Sequence, residues 1–123
     1  MHEALKQYIQ STNTWDFEQV RSCLHENAVF YFTDKTCIGM EQIREYFEKG
    51  WATVKDERYW PADVTYLHED QNTMLCVYQF NYSGRTEDGA LLEGFGRASN
   101  MFVKHNITGK WELVHEHLSR IPK

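Results

Sequence analysis

Four strand-like segments joined by short polar links occupy the second half of the chain. They cover residues 58–68, 73–83, 90–104 and 110–119. The links are rich in Asp, Asn, Ser and Gly, the residues that form tight turns. Consecutive strands with links this short pair as antiparallel neighbours. This half of the chain therefore predicts an antiparallel meander, whose apolar face must be covered by other elements.

The first half supplies the covering elements. Residues 1–12 place apolar side chains on one helical stripe. Asp16 is a candidate N-cap for a second helix that we expect to run to about His25. A short strand over residues 28–32 follows, and a third helix begins after Gly39. The order helix, helix, strand, helix, four strands predicts an α+β fold, in which three helices pack on the concave face of a curved, mixed or antiparallel sheet.

Length, charge and cysteine content restrict the class of protein. A chain of 123 residues fits one domain over residues 1–123. The net charge is −5 and lysine and arginine do not cluster, so we expect no nucleic-acid partner. No apolar run has the length of a membrane span, and the first residues lack the apolar core of a secretion signal. The three cysteines are odd in number and form no close pair, which predicts neither disulfides nor zinc, and a cytoplasmic location.

The last strand carries two histidines in an apolar setting. Strict alternation places one set of side chains on one face of the sheet: Trp111, Leu113, His115, His117 and Ser119. Two imidazoles beside an aromatic and an aliphatic residue predict the wall of a small-molecule pocket.

The chemistry of this pair has two interpretations. His115 and His117 either act as general acid and base, or bind an anionic or carbonyl group, since imidazole exchanges protons near neutral pH. Alternatively, they form a structural pair that is hydrogen-bonded in the fold. A metal site would need further ligands at suitable spacing, and the sequence offers none, so we expect neither metal nor cofactor.

Other candidate site residues lie on the neighbouring strand and on the first helix. Alternation places Arg97, Ser99 and Met101 together, where Arg97 either binds a carboxylate in the pocket or lies at an edge with its head exposed. Tyr8 is either a pocket hydrogen-bond donor or a core tyrosine. Further aromatic candidates for the pocket lining are Tyr31, Trp51 and Tyr78. No carboxylate is placed convincingly as a catalytic base.

The opposite face of the sheet is also apolar. It is expected to carry Val114 and Leu118 on the last strand, and Leu75 and Val77 on an earlier strand. No helix remains to cover this face, so it predicts association with a second copy of the chain. The chain is therefore expected to form a homodimer through the outer face of its sheet.

The closing strands carry a pattern that resembles one superfamily. Its positions here are Arg97, Ser99, Phe102, Lys104, Gly109, Trp111, Leu113-Val114, His115, His117 and Ser119. Together with length and element order, this pattern resembles the nuclear-transport-factor-2-like superfamily, with SnoaL-like domains and kinase association domains as its nearest branches. The resemblance implies a cone-shaped, cystatin-like α+β roll, and such dimers are common in the superfamily.

The resemblance implies two classes of function. One is a pocket for a small organic molecule with a carbonyl or carboxylate group, where isomerisation, dehydration or cyclisation proceeds without a cofactor. The other is a non-catalytic assembly or ligand-sensing domain similar to the kinase association domains. Fold alone does not choose between them.

The first half also resembles the ketosteroid isomerase branch. On that alignment Tyr8 takes the position of the oxyanion-hole tyrosine. The position of the catalytic aspartate falls at or beside Phe32, and that of the protonated acid falls near Asn100 or Met101. Because the isomerase chemistry needs a carboxylate base at the first of these positions, we do not expect steroid isomerase activity.

Overall fold

The computed structural model describes residues 1–122, which form three helices and six strands. The helices are α1 (Glu3–Thr12), α2 (Phe17–Arg21) and α3 (Met40–Thr53). The strands are β1 (Leu24–Tyr31), β2 (Thr36–Ile38), β3 (Lys55–Glu69), β4 (Thr73–Arg85), β5 (Leu91–Lys104) and β6 (Trp111–Ser119). The α+β class is confirmed, and the four long strands lie where the sequence predicts them. None of these helices is long and apolar enough to cross a membrane.

All six strands belong to one curved, open sheet. Their order is β2-β1-β6-β5-β4-β3, so the last strand of the chain lies between the first and the fifth. The pairing of β1 with β6 is parallel and every other pairing is antiparallel. The sheet is therefore mixed, and β6 joins its two parts.

Two details of the first half differ from the prediction. The side chain of Asp16 does cap α2, since it accepts a hydrogen bond from the backbone N–H of Glu18 at 3.0 Å. However, α2 ends at Arg21, because the chain is already extended in β1 from Leu24. Strand β2 was not predicted, because three residues are too few to show an alternating pattern.

The core lies between the helices and the inner face of the sheet. The helices contribute Leu5, Tyr8, Ile9, Phe17, Val20 and Ile43 to it. The facing strand β4 buries every second residue, including Met74, Cys76, Tyr78 and Phe80. Each large apolar side chain buried here contributes about 1.5–3 kcal/mol by leaving water.

A glycine on β5 allows close packing at the middle of the inner face. A Cβ atom at Gly96 would lie 2.5 Å from the ring of Phe80 and 2.5 Å from the carbonyl oxygen of Ser119. The aromatic ring occupies the space that any other side chain would need. Any larger residue at position 96 would therefore require a shift of the neighbouring strand or ring.

Candidate functional site

A cavity of about 770 Å³ lies between the inner face of the sheet and the helices. Its lining includes Phe32, Tyr46, Phe47, Trp51, Tyr59, Phe80 and Tyr82. A cavity of this size with many aromatic side chains in its wall suits a small organic molecule. Trp51, an aromatic candidate from the sequence, is among the lining residues.

A bulge in β6 decides which side chains face the cavity. Phe102 of β5 pairs with Leu113 of β6, but the next residue of β5, Met101, pairs with His115. Val114 is therefore an extra residue, and the alternation of faces reverses at that point. The side chains of β6 beyond Val114 therefore lie on the opposite face of the sheet from the one that strict alternation predicts.

The reversal exchanges the predicted faces at the end of β6. Glu116 is buried and Leu118 half-buried, and both line the cavity. His115 and His117 lie on the outer face instead. The prediction that these histidines share a face with Leu113 is wrong, and so is the prediction that Leu118 belongs to the outer face.

Glu116 is a polar residue of the cavity lining, and the residue is 2% exposed. Its Oε1 atom accepts a hydrogen bond from the hydroxyl of Tyr8 at 3.0 Å and another from Nδ2 of Asn100 at 3.1 Å. No described residue donates to its second oxygen, Oε2. The carboxyl group is thus held at one oxygen, which leaves the other for a molecule in the cavity.

Burial sets the protonation of this carboxyl group. Loss of water raises the pKa of Glu116 to about 7, although the hydrogen bonds from Asn100 and Tyr8 act in the opposite direction. Burial, together with the nearby Glu116, holds the pKa of the Tyr8 hydroxyl well above its usual value. Near neutral pH, Glu116 is therefore able to accept or release a proton while Tyr8 stays protonated.

Further polar atoms surround this pair. Within residues 1–122, the hydroxyls of Tyr59 and Tyr78 and Oδ1 of Asn100 are buried without a hydrogen-bond partner of good geometry. The two tyrosines are near enough to affect each other's protonation, and burial raises the pKa of both. Burying a hydroxyl group without a hydrogen-bond partner costs free energy unless a ligand or an ordered water supplies that partner. Tyr59 lines the cavity, so its hydroxyl is a candidate donor to a bound molecule.

Charged residues line the outer part of the cavity. Lys35, Lys49 and Arg120 contribute positive charge there, and Asp34 and Glu45 contribute negative charge. The hydroxyl of Tyr46 donates to Oδ1 of Asp34 at 2.6 Å. Burial and this contact raise the pKa of the Tyr46 hydroxyl.

His115 and His117 pack on the outer face around Tyr31. The ring centroid of Tyr31 lies 4.9 Å from that of His115 and 5.3 Å from that of His117, both in edge-to-face geometry. The Nδ1 atom of His115 lies 2.6 Å from the carbonyl oxygen of Val29, so Nδ1 carries the proton and donates. His115 therefore has a structural hydrogen bond to β1.

Several other predicted site residues meet on the same outer face. Arg97, Ser99 and His117 line a second depression of about 490 Å³, and Nε of Arg97 donates to the hydroxyl of Ser119 at 3.3 Å. Met101 is 39% exposed on this face. Tyr78 is buried on β4, with its side chain on the inner face. The structure thus brings Arg97 and His117 together, but not with Tyr8 or Trp51.

Sequence reasoning missed Glu116 and Tyr59, which line the cavity, and named Asn100 only as a position in the isomerase alignment, not as a partner of Glu116. A single-residue bulge has no dependable sequence signal, so strict alternation placed Glu116 outside. The sequence has no signal that distinguishes Glu116 from Glu112 on the same strand. Among the described residues, no group of three or more His, Cys, Asp or Glu side chains is arranged to hold a metal ion.

Comparisons with known proteins agree with this architecture. Over 98% of the chain, the structure matches a nuclear transport factor 2 (NTF2-like) superfamily protein from Salmonella enterica serovar Typhimurium, covering 88% of that chain with a TM-score of 0.86 and 21% identity. The association domain of C. elegans CaMKII matches with a TM-score of 0.73 and 15% identity, over 94% of this chain and 89% of that one.

A protein with a cystatin-like fold from Caulobacter vibrioides matches with a TM-score of 0.77 and 17% identity, over 97% of this chain and 85% of that one. At these identities the likeness establishes the fold alone. No curated protein sequence matches the chain significantly. The family of SnoaL-like domains matches across residues 1–123. The chain therefore belongs to the SnoaL-like domain family.

Proposed function

We propose that this domain binds a small, largely apolar organic molecule in the cavity and transfers a proton with Glu116. The observation that carries the proposal is the carboxyl group of Glu116, which is buried and fixed through one oxygen by Tyr8 and Asn100. An apolar cavity strengthens such a base, because little water competes for its charge.

Each cavity group has a role in this proposal. The free oxygen of Glu116 takes a proton from a carbon next to a carbonyl group and returns it elsewhere on the molecule. Its pKa of about 7 supplies both protonation states near neutral pH. The unpaired hydroxyl of Tyr59 donates to the oxygen on which negative charge develops.

The reaction class follows from these roles. Proton transfer next to a carbonyl group leads to isomerisation, dehydration or cyclisation, and none of these needs a cofactor. Phe32 lines the cavity at the position where the resemblance to ketosteroid isomerases would require an aspartate. Steroid isomerisation is therefore not proposed, since the base here lies at a different place in the fold, on β6.

A chromogenic proton abstraction tests the proposal without knowledge of the natural substrate. 5-Nitrobenzisoxazole opens to a coloured cyanophenolate when a base removes its C3 proton, and a carboxylate in an apolar cavity accelerates this step. We expect a measurable rate that rises with pH through about 7 as Glu116 ionises. A Glu116→Gln variant should lose at least 100-fold in rate, the usual contribution of a positioned base.

Glu93→Gln is the matched control, because Glu93 is exposed on β5 and does not line the cavity. It should retain the wild-type rate. A Glu116→Gln variant as active as the wild type would contradict the assignment of the base, whatever the rate.

The outer face of the sheet supports a second candidate function, assembly of two copies. Large apolar side chains stay exposed there in a single chain, among them Tyr31 at 42% and Met101 at 39%. Arg97, Ser99 and His117 lie on the same face, so we assign them to this interface rather than to the cavity. Light scattering of the purified protein should give the mass of a dimer, and Met101→Glu should give that of a monomer. A monomeric wild type would exclude this candidate.

A further inference from the structure

A second glutamate, Glu57 of β3, also lines the cavity. It lies on the inner face next to Tyr59, with Arg58 between them on the outer face. Its carboxyl group makes no hydrogen bond or ion pair with any residue in the range 1–122. Glu57 is half-buried in the wall of a cavity rich in aromatic rings, where partial loss of water penalises the charge of a carboxyl group that has no partner.

The backbone at Glu57 is flanked by a strained residue and accepts a hydrogen bond from another part of the chain. The residue before it, Asp56, has a φ of 54°, and Trp15 has a φ of 59°. Each left-handed residue other than glycine costs about 1–3 kcal/mol, and such strain concentrates at functional sites. The two strained residues meet at Glu57, since Nε1 of Trp15 donates to the carbonyl oxygen of Glu57 at 2.8 Å.

The next inward residue of β3 is fixed from the same side. The side chain of Asn13 bonds to both backbone groups of Tyr59: its Oδ1 accepts from the N–H and its Nδ2 donates to the carbonyl oxygen, each at 2.8 Å. The corner between α1 and α2 therefore fixes Glu57 and Tyr59 as one wall of the cavity. Tyr59, Glu57 and Glu116 all line the same cavity, so the two carboxyl groups face one space.

The two carboxyl groups have opposite surroundings. Glu116 accepts two hydrogen bonds, which favour its ionised form. Glu57 accepts none from the described residues, and its burial favours the neutral acid, raising its pKa to about 7. Burial raises the pKa of both carboxyl groups to about 7, so the two hydrogen bonds to Glu116, rather than the pKa values, favour Glu116 as the base and leave Glu57 as the candidate acid.

We propose that Glu57 is the general acid of this cavity, which protonates the leaving group while Glu116 removes a proton from carbon. This inference rests on the proposed function, because it needs Glu116 as the base. It also selects one reaction among those proposed. A proton shift can be completed by Glu116 alone, whereas elimination of water requires a second group that donates a proton to the departing oxygen.

The step is balanced for a β-hydroxy carbonyl compound. Glu116 takes the proton from the carbon next to the carbonyl group, and a carbon–carbon double bond forms as the carbon–oxygen bond breaks. The proton of Glu57 goes to the departing hydroxyl group, which leaves as water. Solvent then carries the proton from Glu116 back to Glu57, so both groups regain their starting state.

Two benzisoxazoles that differ in their leaving group test the role of Glu57. 5-Nitrobenzisoxazole releases a weakly basic phenolate, which needs no acid, whereas unsubstituted 1,2-benzisoxazole releases a more basic one. Glu57→Gln keeps the shape of the side chain but makes it a poor acid. We expect kcat/KM for the unsubstituted compound to fall about 100-fold and that for the nitro compound to change less than about threefold.

Glu93→Gln is again the control, since Glu93 is exposed on β5 and does not line the cavity. It should leave the ratio of the two rates unchanged. Thermal melting of each variant confirms that it is folded, and Glu57→Asp, which withdraws the acid by one methylene, should show an intermediate ratio.

The possible failures are distinguishable. If the wild type abstracts the proton from neither compound, the proposed function is refuted, and the role of Glu57 with it. If the wild type is active but Glu57→Gln keeps the wild-type ratio, only the role of Glu57 is refuted. An equal loss on both compounds would likewise refute it, because it would indicate a general effect on the cavity.

Discussion

Replacing Glu116 with glutamine should change how the stability of the protein depends on pH. The pKa of Glu116 is about 7 in the folded protein, against an ordinary value of 4.5. Between these values, the unfolded chain releases the proton while the folded protein keeps it. The wild type therefore loses stability as pH rises from about 4.5 to about 7, and the loss is complete above that range.

The magnitude follows from the difference between the two pKa values. Each pKa unit corresponds to about 1.4 kcal/mol, so the burial of Glu116 costs about 3 kcal/mol at pH 8 and almost nothing at pH 4. Glutamine carries no charge, and its amide oxygen can still accept from Tyr8 and Asn100. Glu116→Gln should therefore be about 3 kcal/mol more stable than the wild type at pH 8, which corresponds to a rise of roughly 10 °C in Tm.

Urea denaturation of both proteins from pH 4 to pH 8 measures this difference. Comparison with the wild type isolates Glu116, because Glu57 contributes equally to both curves. Glu93→Gln serves as the exposed control and should follow the wild-type curve. A stability difference that stays constant over the whole pH range would refute the reasoning, since it would mean that Glu116 does not titrate near pH 7.

Three further substitutions test the contacts around the cavity. Tyr8→Phe removes one hydrogen-bond donor to Glu116, so the pKa of Glu116 should rise further. The midpoint of the pH–rate profile for 5-nitrobenzisoxazole should therefore move to higher pH. An unchanged midpoint would argue against the hydrogen bond. Gly96→Ala should lower the unfolding free energy by about 1–3 kcal/mol, because the new Cβ meets the ring of Phe80. At Gly50, a Cβ would meet no atom within 4 Å apart from its chain neighbours and the backbone of its own helix. Gly50→Ala should therefore raise the unfolding free energy by about 0.5–1 kcal/mol, as expected for a helix interior. Equal effects of the two glycine substitutions in urea denaturation would contradict this account.

The long strands were predictable because their alternation is sustained. On β4 every second residue from Met74 to Phe80 is buried, as the pattern requires. On β6 the same rule fails after Leu113, because one extra residue at Val114 reverses all later faces. That single residue moved Glu116 into the cavity and His117 out of it. The partners of Glu116 were equally hidden, since Tyr8 and Asn100 are distant in sequence and meet it only in the folded sheet.

The position of β6 in the sheet has a consequence for how the protein folds. Its pairing with β1 joins residues such as Leu24 and Leu113, about 90 residues apart along the chain. Closing so long a loop is entropically costly, so we expect the hairpins of β3, β4 and β5 to form first and the pairing of β6 with β1 to form late. Until then, β1 and β5 each present an unpaired edge that can add a strand from another molecule. Refolding should accordingly be slow and sensitive to protein concentration, and the cavity with Glu116 should be the last part of the molecule to become functional.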